Sequence, residues 1–176
     1  ATDVYKFYQV KQVDNRSIDI EETGYRFLHD RVQQAAYSLL SIEQQTEVHL
    51  SIGQHLLAQA EKENRQEAEK SSRLFEITHH LNLGSALLNT KQQRENLAEL
   101  NLKTGRKAKM AAAFSSAATF FRQGITLLPT EAWQSRYGLM RSLHENAAEA
   151  AYLSAEFDEM ARMIEAVQTH AKNTLD

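Results

Sequence analysis

The chain has 176 residues, 42% of them hydrophobic, so it can bury the core of one domain or of a small element plus one domain. Its net charge of −3, with 24% charged residues, offers no strong field for nucleic acid or for an anionic membrane surface. The absence of cysteine excludes disulfides, thiolate metal sites and cysteine nucleophiles, and points to a reducing, cytoplasmic compartment.

No apolar run approaches the roughly 18 residues needed to span a bilayer, and the N-terminus lacks the apolar segment of a signal peptide. The first residue is alanine rather than methionine, so the chain reads as a piece of something larger. One proline and six glycines imply long, rarely interrupted helices.

In chain order, residues 1–28 differ from the rest. Val4 to Val10 is rich in aromatic and β-branched residues, Asp14 to Ser17 is turn chemistry, and Ile18 and Ile20 alternate with acidic neighbours. Gly24 interrupts that run and Tyr25-Arg26-Phe27 resumes it, which predicts a β-hairpin or a small three-stranded piece. A few strands alone are marginal in water and need a partner surface.

From Asp30 the apolar period becomes helical. Asp30 and Gln33 can form a capping box, as can Ser41 with Gln44 and Thr90 with Gln93. Val48, Ile52, Leu56, Leu57 and Ala60 form the expected buried stripe of the helix that starts near Ser41. Leu74, Ile77 and Leu81 define the next helix, with Gly84 as a candidate left-handed C-cap. Ala86 to Leu88 reads as a short helical turn, and Leu97, Leu100 and Leu102 mark the helix after Thr90.

Gly105, Ala117, Phe121 and Pro129 then stand at the spacings of the glycine, alanine, aromatic and proline positions of a tetratricopeptide repeat. Small residues at Gly105 and Ala117 let antiparallel helices approach, Phe121 fills the groove between them, and Pro129 ends the second helix. Thr104 and Ala108 depart from the leucine and aromatic of that pattern. A following pair is expected from Ala132 to Ala151 and from Phe157 to His170, turning at Ser154-Ala155-Glu156. In it, Leu139, Leu143, Ala147, Ala150 and Ala151 face Met160, Met163, Ile164 and Val167.

Little in the sequence carries chemistry. The six glycines stand singly, so no phosphate loop is present, and no serine lies in a nucleophile elbow. His49 and His55 fall on different helix faces and His79-His80 are adjacent, so no metal site is expected. Lys103, Arg106, Lys107 and Lys109 form a basic cluster, either a solvated face or a surface for an acidic or phosphorylated partner. Phe114, Phe120, Phe121 and Trp133 read first as core. If a groove exists, Phe114, Phe121, Trp133 and Tyr137 line it as partner-binding residues. His29 is an ionisable ring at the strand-to-helix junction that the caps do not explain, and its plain reading is a packed imidazole.

The runs FLHDRVQQAAYSL (27–39), HLSIGQHLL (49–57), LFEITHHLNLG (74–84) and the segment 98–128 resemble the region that follows the ATPase module in bacterial multidomain signal-transduction ATPases with numerous domains. These carry a serine/threonine kinase, an AAA-type ATPase, helical repeats, a GAF domain and sometimes a histidine kinase. The resemblance implies that the hairpin ends a winged-helix-like element. Leu28-His29-Asp30 is also similar to the Met-His-Asp motif of plant immune ATPases, whose histidine faces the phosphates of bound ADP, which makes His29 the implied cofactor-binding position.

The expected fold is therefore mostly α. Residues 1–28 form a short hairpin, and residues 29–176 form antiparallel helix pairs in a tetratricopeptide-like superhelical array. The expected function is a non-catalytic regulatory scaffold that holds no cofactor itself, in a parent that binds ATP or ADP with Mg. Its partners are the upstream nucleotide-binding domain, the downstream sensor and kinase domains, and a protein ligand, with no nucleic acid and no membrane. The alternative is a stand-alone tetratricopeptide-like peptide-binding module without nucleotide coupling.

Overall fold

A computed structural model describes residues 4–13, 17–27, 34–35, 37–62 and 67–172. The chain divides into two compact units, Ala1–Gln45 and Thr46–Asp176. In the first unit, β1 (Val4–Val13) and β2 (Ser17–Phe27) pair antiparallel, with Val4 opposite Phe27 and Val13 opposite Ser17. β2 runs through Gly24, which pairs with Phe7 instead of interrupting the strand, and the register slips once between Gln9 and Val10. Of the turn expected at Asp14 to Ser17, residues 14–16 lie outside the described residues, as does the capping box of Asp30 with Gln33.

The chain beyond is helical: α1 (Ile42–Lys62), α2 (Glu67–Leu83), a 3-10 turn (Ser85–Leu87), α3 (Lys91–Met110), α4 (Phe114–Thr126), a single turn α5 (Ala132–Ser135), α6 (Tyr137–Leu153) and α7 (Phe157–His170). Two of the expected caps are formed. The Ser41 amide donates to Gln44 Oε1 while the Gln44 amide donates to Ser41 Oγ, and Thr90 and Gln93 make the same reciprocal box at the start of α3. Each satisfies orphan donors at a helix start, an effect of about 1 kcal/mol.

Within the second unit the core is built from neighbouring helices: α2 on α3, α3 on α4, α4 on α6 and α6 on α7. Helix approach is set by small residues. Gly105 lies under the ring of Phe121, which is completely buried, and any Cβ at residue 105 would overlap that ring. Ala98, Ala108, Ala117 and Ala118 line the same seam and are buried. At Gly84 a Cβ would stand 2.7 Å from the Leu50 Cα, and at Gly53 one would stand 2.7 Å from Leu81 Cδ2, so α1 and the end of α2 cross at two glycines.

Three expectations change here. Gly84 is not a left-handed cap: its φ is −88°, and the residue is required by the nearness of Leu50 rather than by backbone conformation. Of the stripe expected on α1, Leu56, Leu57 and Ala60 pack against the core, joined by Leu50 and Gly53, while Val48 and Ile52 are exposed, because a glycine at the contact is invisible to a count of apolar residues. The helix expected from Ala132 is broken at Arg136, whose φ of −135° and ψ of 41° separate α5 from α6. Arg136 Nε lies 3.5 Å from the Glu95 carboxylate, and its guanidinium also pairs with Glu99. The break thereby fastens the α5–α6 corner to α3.

The α2–α3 seam carries a buried polar ladder. Thr78 and Thr104 place their hydroxyl oxygens 2.7 Å apart, and the Asn82 and Asn101 side-chain amides exchange hydrogen bonds of 2.8 and 2.7 Å. Asn101 also donates to the Leu97 carbonyl at 2.9 Å. Thr104, a departure from the repeat pattern, is thus explained by its partner on α2.

Both helix pairs end their first helix in one motif. The Ala113 amide donates to the Ala108 carbonyl at 2.9 Å and the Ala112 amide to Lys109, while Glu156 donates to Ala151 at 2.8 Å and Ala155 to Tyr152. These are Schellman turns with alanine at the left-handed position, where φ is 57° at Ala112 and 60° at Ala155. A Cβ is unfavourable there. Ala112→Gly and Ala155→Gly should each raise stability by about 0.5 to 1 kcal/mol in urea unfolding, and β-branched residues at either place should lower it.

Candidate functional site

The residues singled out by sequence fall in different places. His29, together with Leu28, Asp30 and Arg31, lies outside the described residues. Phe121 is buried in the α3–α4 seam and Trp133 is buried on α5, so neither presents a face to a partner. Phe114 and Tyr137 are half-buried. Phe114 borders an open depression with Ala112, Ala113, Ser116, Leu153 and Ser154, where the two Schellman turns lie side by side. Phe114, Phe121, Trp133 and Tyr137 therefore do not line one groove.

What the structure does bring together is an aromatic and imidazole stack around Trp133. The His170 ring lies 4.5 Å from the indole at an interplanar angle of 4°, the His144 ring at 4.9 Å, and Tyr137 at 5.9 Å. Lys172 Nζ stands 4.3 Å from the centre of the Tyr137 ring, a cation–π contact. His144 Nδ1–H donates to the Met140 carbonyl at 2.8 Å, and His170 Nδ1–H donates to Ala166 at 2.9 Å. Burial pushes the His144 pKa below its ordinary 6.5; the hydrogen bond to Met140 opposes that shift and the charge of His170 adds to it.

A second imidazole group joins α1 to α2. His49 Nδ1 and His80 Nδ1 are 2.8 Å apart, with ring centres at 5.0 Å, and His79 lies beside His80 at 5.8 Å. Only one of the two facing nitrogens can carry a proton in that bond, so the pair requires one Nδ1–H donor and one bare acceptor. Burial lowers the His49 pKa, with His79 adding to the effect. It lowers the His80 pKa too, where His49 and His79 add and Glu76 opposes. Within-helix spacing could not show this pair, because its members come from two helices.

The basic cluster is divided. Lys109 Nζ bonds Glu149 at 2.6 Å and Asn146 at 2.9 Å on α6, while Lys103 and Arg106 are exposed. Among the described residues, no group of three or more histidine, cysteine or carboxylate side chains could hold a metal, and no helix is long and apolar enough to cross a membrane. The arrangement binds helix to helix; its polar groups serve the seams.

No protein-family model matches the chain. The chain is similar to the hybrid signal transduction histidine kinase G of Dictyostelium discoideum, 26% identical over 176 residues. The match covers 88% of this chain and 5% of that protein.

The lowered imidazoles set an acid limit. Because these groups take up protons more readily unfolded than folded, stability is full above the ordinary value of 6.5 and falls as pH drops below it. The melting temperature should fall between about pH 7.5 and about pH 5, and His80→Gln should make that fall shallower. A melting temperature independent of pH would contradict the assignment.

Proposed function

We propose that this chain is a non-catalytic regulatory scaffold: a helical segment of a large signalling protein that links a nucleotide-switching module to downstream sensor or kinase domains. The observation that carries the reading is the likeness, along most of the chain, to a small part of a hybrid signal transduction histidine kinase. In this reading residues 1–28 are the end of a winged-helix-like element and the helices form a tetratricopeptide-like array. ATP or ADP with Mg is held upstream, and His29 reports the phosphates. The compartment is cytoplasmic.

The engagement of the buried polar side chains supports a scaffold. Thr78, Asn82, Asn101 and Thr104 bond one another across a helix seam, and Glu95 pairs with Arg136. Such groups specify register rather than chemistry. A second reading, a peptide-binding module without nucleotide coupling, is favoured by the exposed apolar side chains Met110, Tyr152, Leu153 and Phe157 near the helix-pair turns.

Released nucleotide separates the two. A longer protein that includes the upstream ATPase module should release ADP on denaturation, and His29→Ala should carry several-fold less, a loss of about 1 kcal/mol or more in binding. Equal ADP in both would remove His29 from the switch. No nucleotide in either would favour the peptide-binding module.

A further inference from the structure

Imidazoles gather where α1 crosses α2, and their order is the same on both helices. His49 precedes Leu50 and stands one turn before Gly53; His80 precedes Leu81 and stands one turn before Gly84. The two glycines are the points of close approach, Gly53 against Leu81 and Gly84 against Leu50. The contact of His49 with His80 therefore belongs to the same crossing as the two glycine contacts.

The rings meet end on, with the Nδ1 atoms 2.8 Å apart and the ring centres 5.0 Å apart. One nitrogen donates and the other accepts. Two neutral rings satisfy this bond, and so do one neutral ring and one imidazolium. Two imidazolium rings do not, because each facing Nδ1 then carries a proton. The bond is lost, and two like charges stand at contact distance. His79, 5.8 Å from His80, brings a third ring that can take a charge, and Glu76 on α2 is an acid that opposes them. Asn101 and Thr104, by which α3 meets α2 in the polar ladder, are neutral. Burial holds the His49 and His80 pKa values below the ordinary 6.5, so an open form takes up protons more readily than the closed pair.

α1 is also weakly anchored. Gly53 is the one buried position among its described residues, whereas α2 buries Leu74, Ile77, Thr78 and Leu81. Leu50, Leu56, Leu57 and Ala60 are only partly covered. A helix with so little buried surface opens at lower cost than the rest of its domain.

We propose that the facing imidazoles of His49 and His80 are an acid-released latch on α1: when both rings are protonated, α1 parts from α2 while α3, α4 and α6 stay folded. The latch is a local opening, distinct from the acid loss of overall stability. It depends on the α1–α2 crossing and not on nucleotide coupling, so an absence of ADP in the longer protein leaves it standing.

Native-state hydrogen exchange of the unmodified chain at pH 7.5 and at pH 5.5 tests it, with each amide's protection corrected for the intrinsic effect of pH. Protection along α1 should fall about tenfold or more at the lower pH, and that of α3, α4 and α6 should fall several-fold less. His80→Gln leaves one imidazole at the crossing, so α1 protection should then change by less than about twofold between the two pH values. His79→Gln keeps the facing pair, so the fall along α1 should persist. Equal protection of α1 at both pH values would overturn the proposal, because the rings would then charge without parting the helices. So would a fall shared equally by α3, α4 and α6, or a fall undiminished in His80→Gln. If His80→Gln does not fold, His49→Gln removes the pair from the other side and is read in the same way.

Discussion

The helical unit depends on how closely its helices can approach, and the tightest constraint is the Phe121 ring over Gly105. The ring occupies the volume that any side chain at residue 105 would need. This one contact draws α3 against α4 and leaves Gly124 where α6 reaches it. Leu143, completely buried, then fills the space above Gly124. Burial of a large aromatic ring in such a seam contributes on the order of 3 kcal/mol. Its tolerance for added volume is small, because packed interiors relax only partly.

Polar groups determine which close packing is chosen. Thr78 faces Thr104 and Asn82 faces Asn101 across α2 and α3, so a shift of one helix along the other would break the cross-helix pairing of three buried polar side chains and of the half-buried Asn82. Each such group left unpaired costs about 1 to 3 kcal/mol. Lys109 with Glu149 and Arg136 with Glu99 tie α3 to the α5–α6 region at the margins, where ion pairs contribute less. Apolar closeness thus supplies stability and polar pairing supplies register.

Much of the architecture was legible in the residues. Ser41 with Gln44 and Thr90 with Gln93 announced two helix starts because capping chemistry is local. Gly105 and Phe121 were legible because their spacing encodes a contact between successive helices. Features that depend on distant partners were not. Val48 and Ile52 look like a buried stripe until Gly53 is seen to carry the α1 crossing. Arg136 does not look like a helix breaker, since its conformation is stabilised by Glu95 and Glu99 on another helix. Ala112 and Ala155 lack the glycine that usually marks a Schellman turn. Of the candidate partner-binding set, Phe121 and Trp133 are core, as their apolar character equally allows. His49 and His80 meet only through the fold, and His29 falls outside the described residues.

A double-mutant cycle on Gly105 and Phe121 tests the packing constraint most directly. Gly105→Ala alone should destabilise the protein by about 1 to 3 kcal/mol in denaturant unfolding, through overpacking. Phe121→Leu alone should also destabilise it. Combined, the smaller side chain at residue 121 makes room for the added methyl, so the double variant should be more stable than the sum of the two losses by about 1 kcal/mol or more. Strict additivity would show that the two residues do not meet and that α3 and α4 do not pack through them.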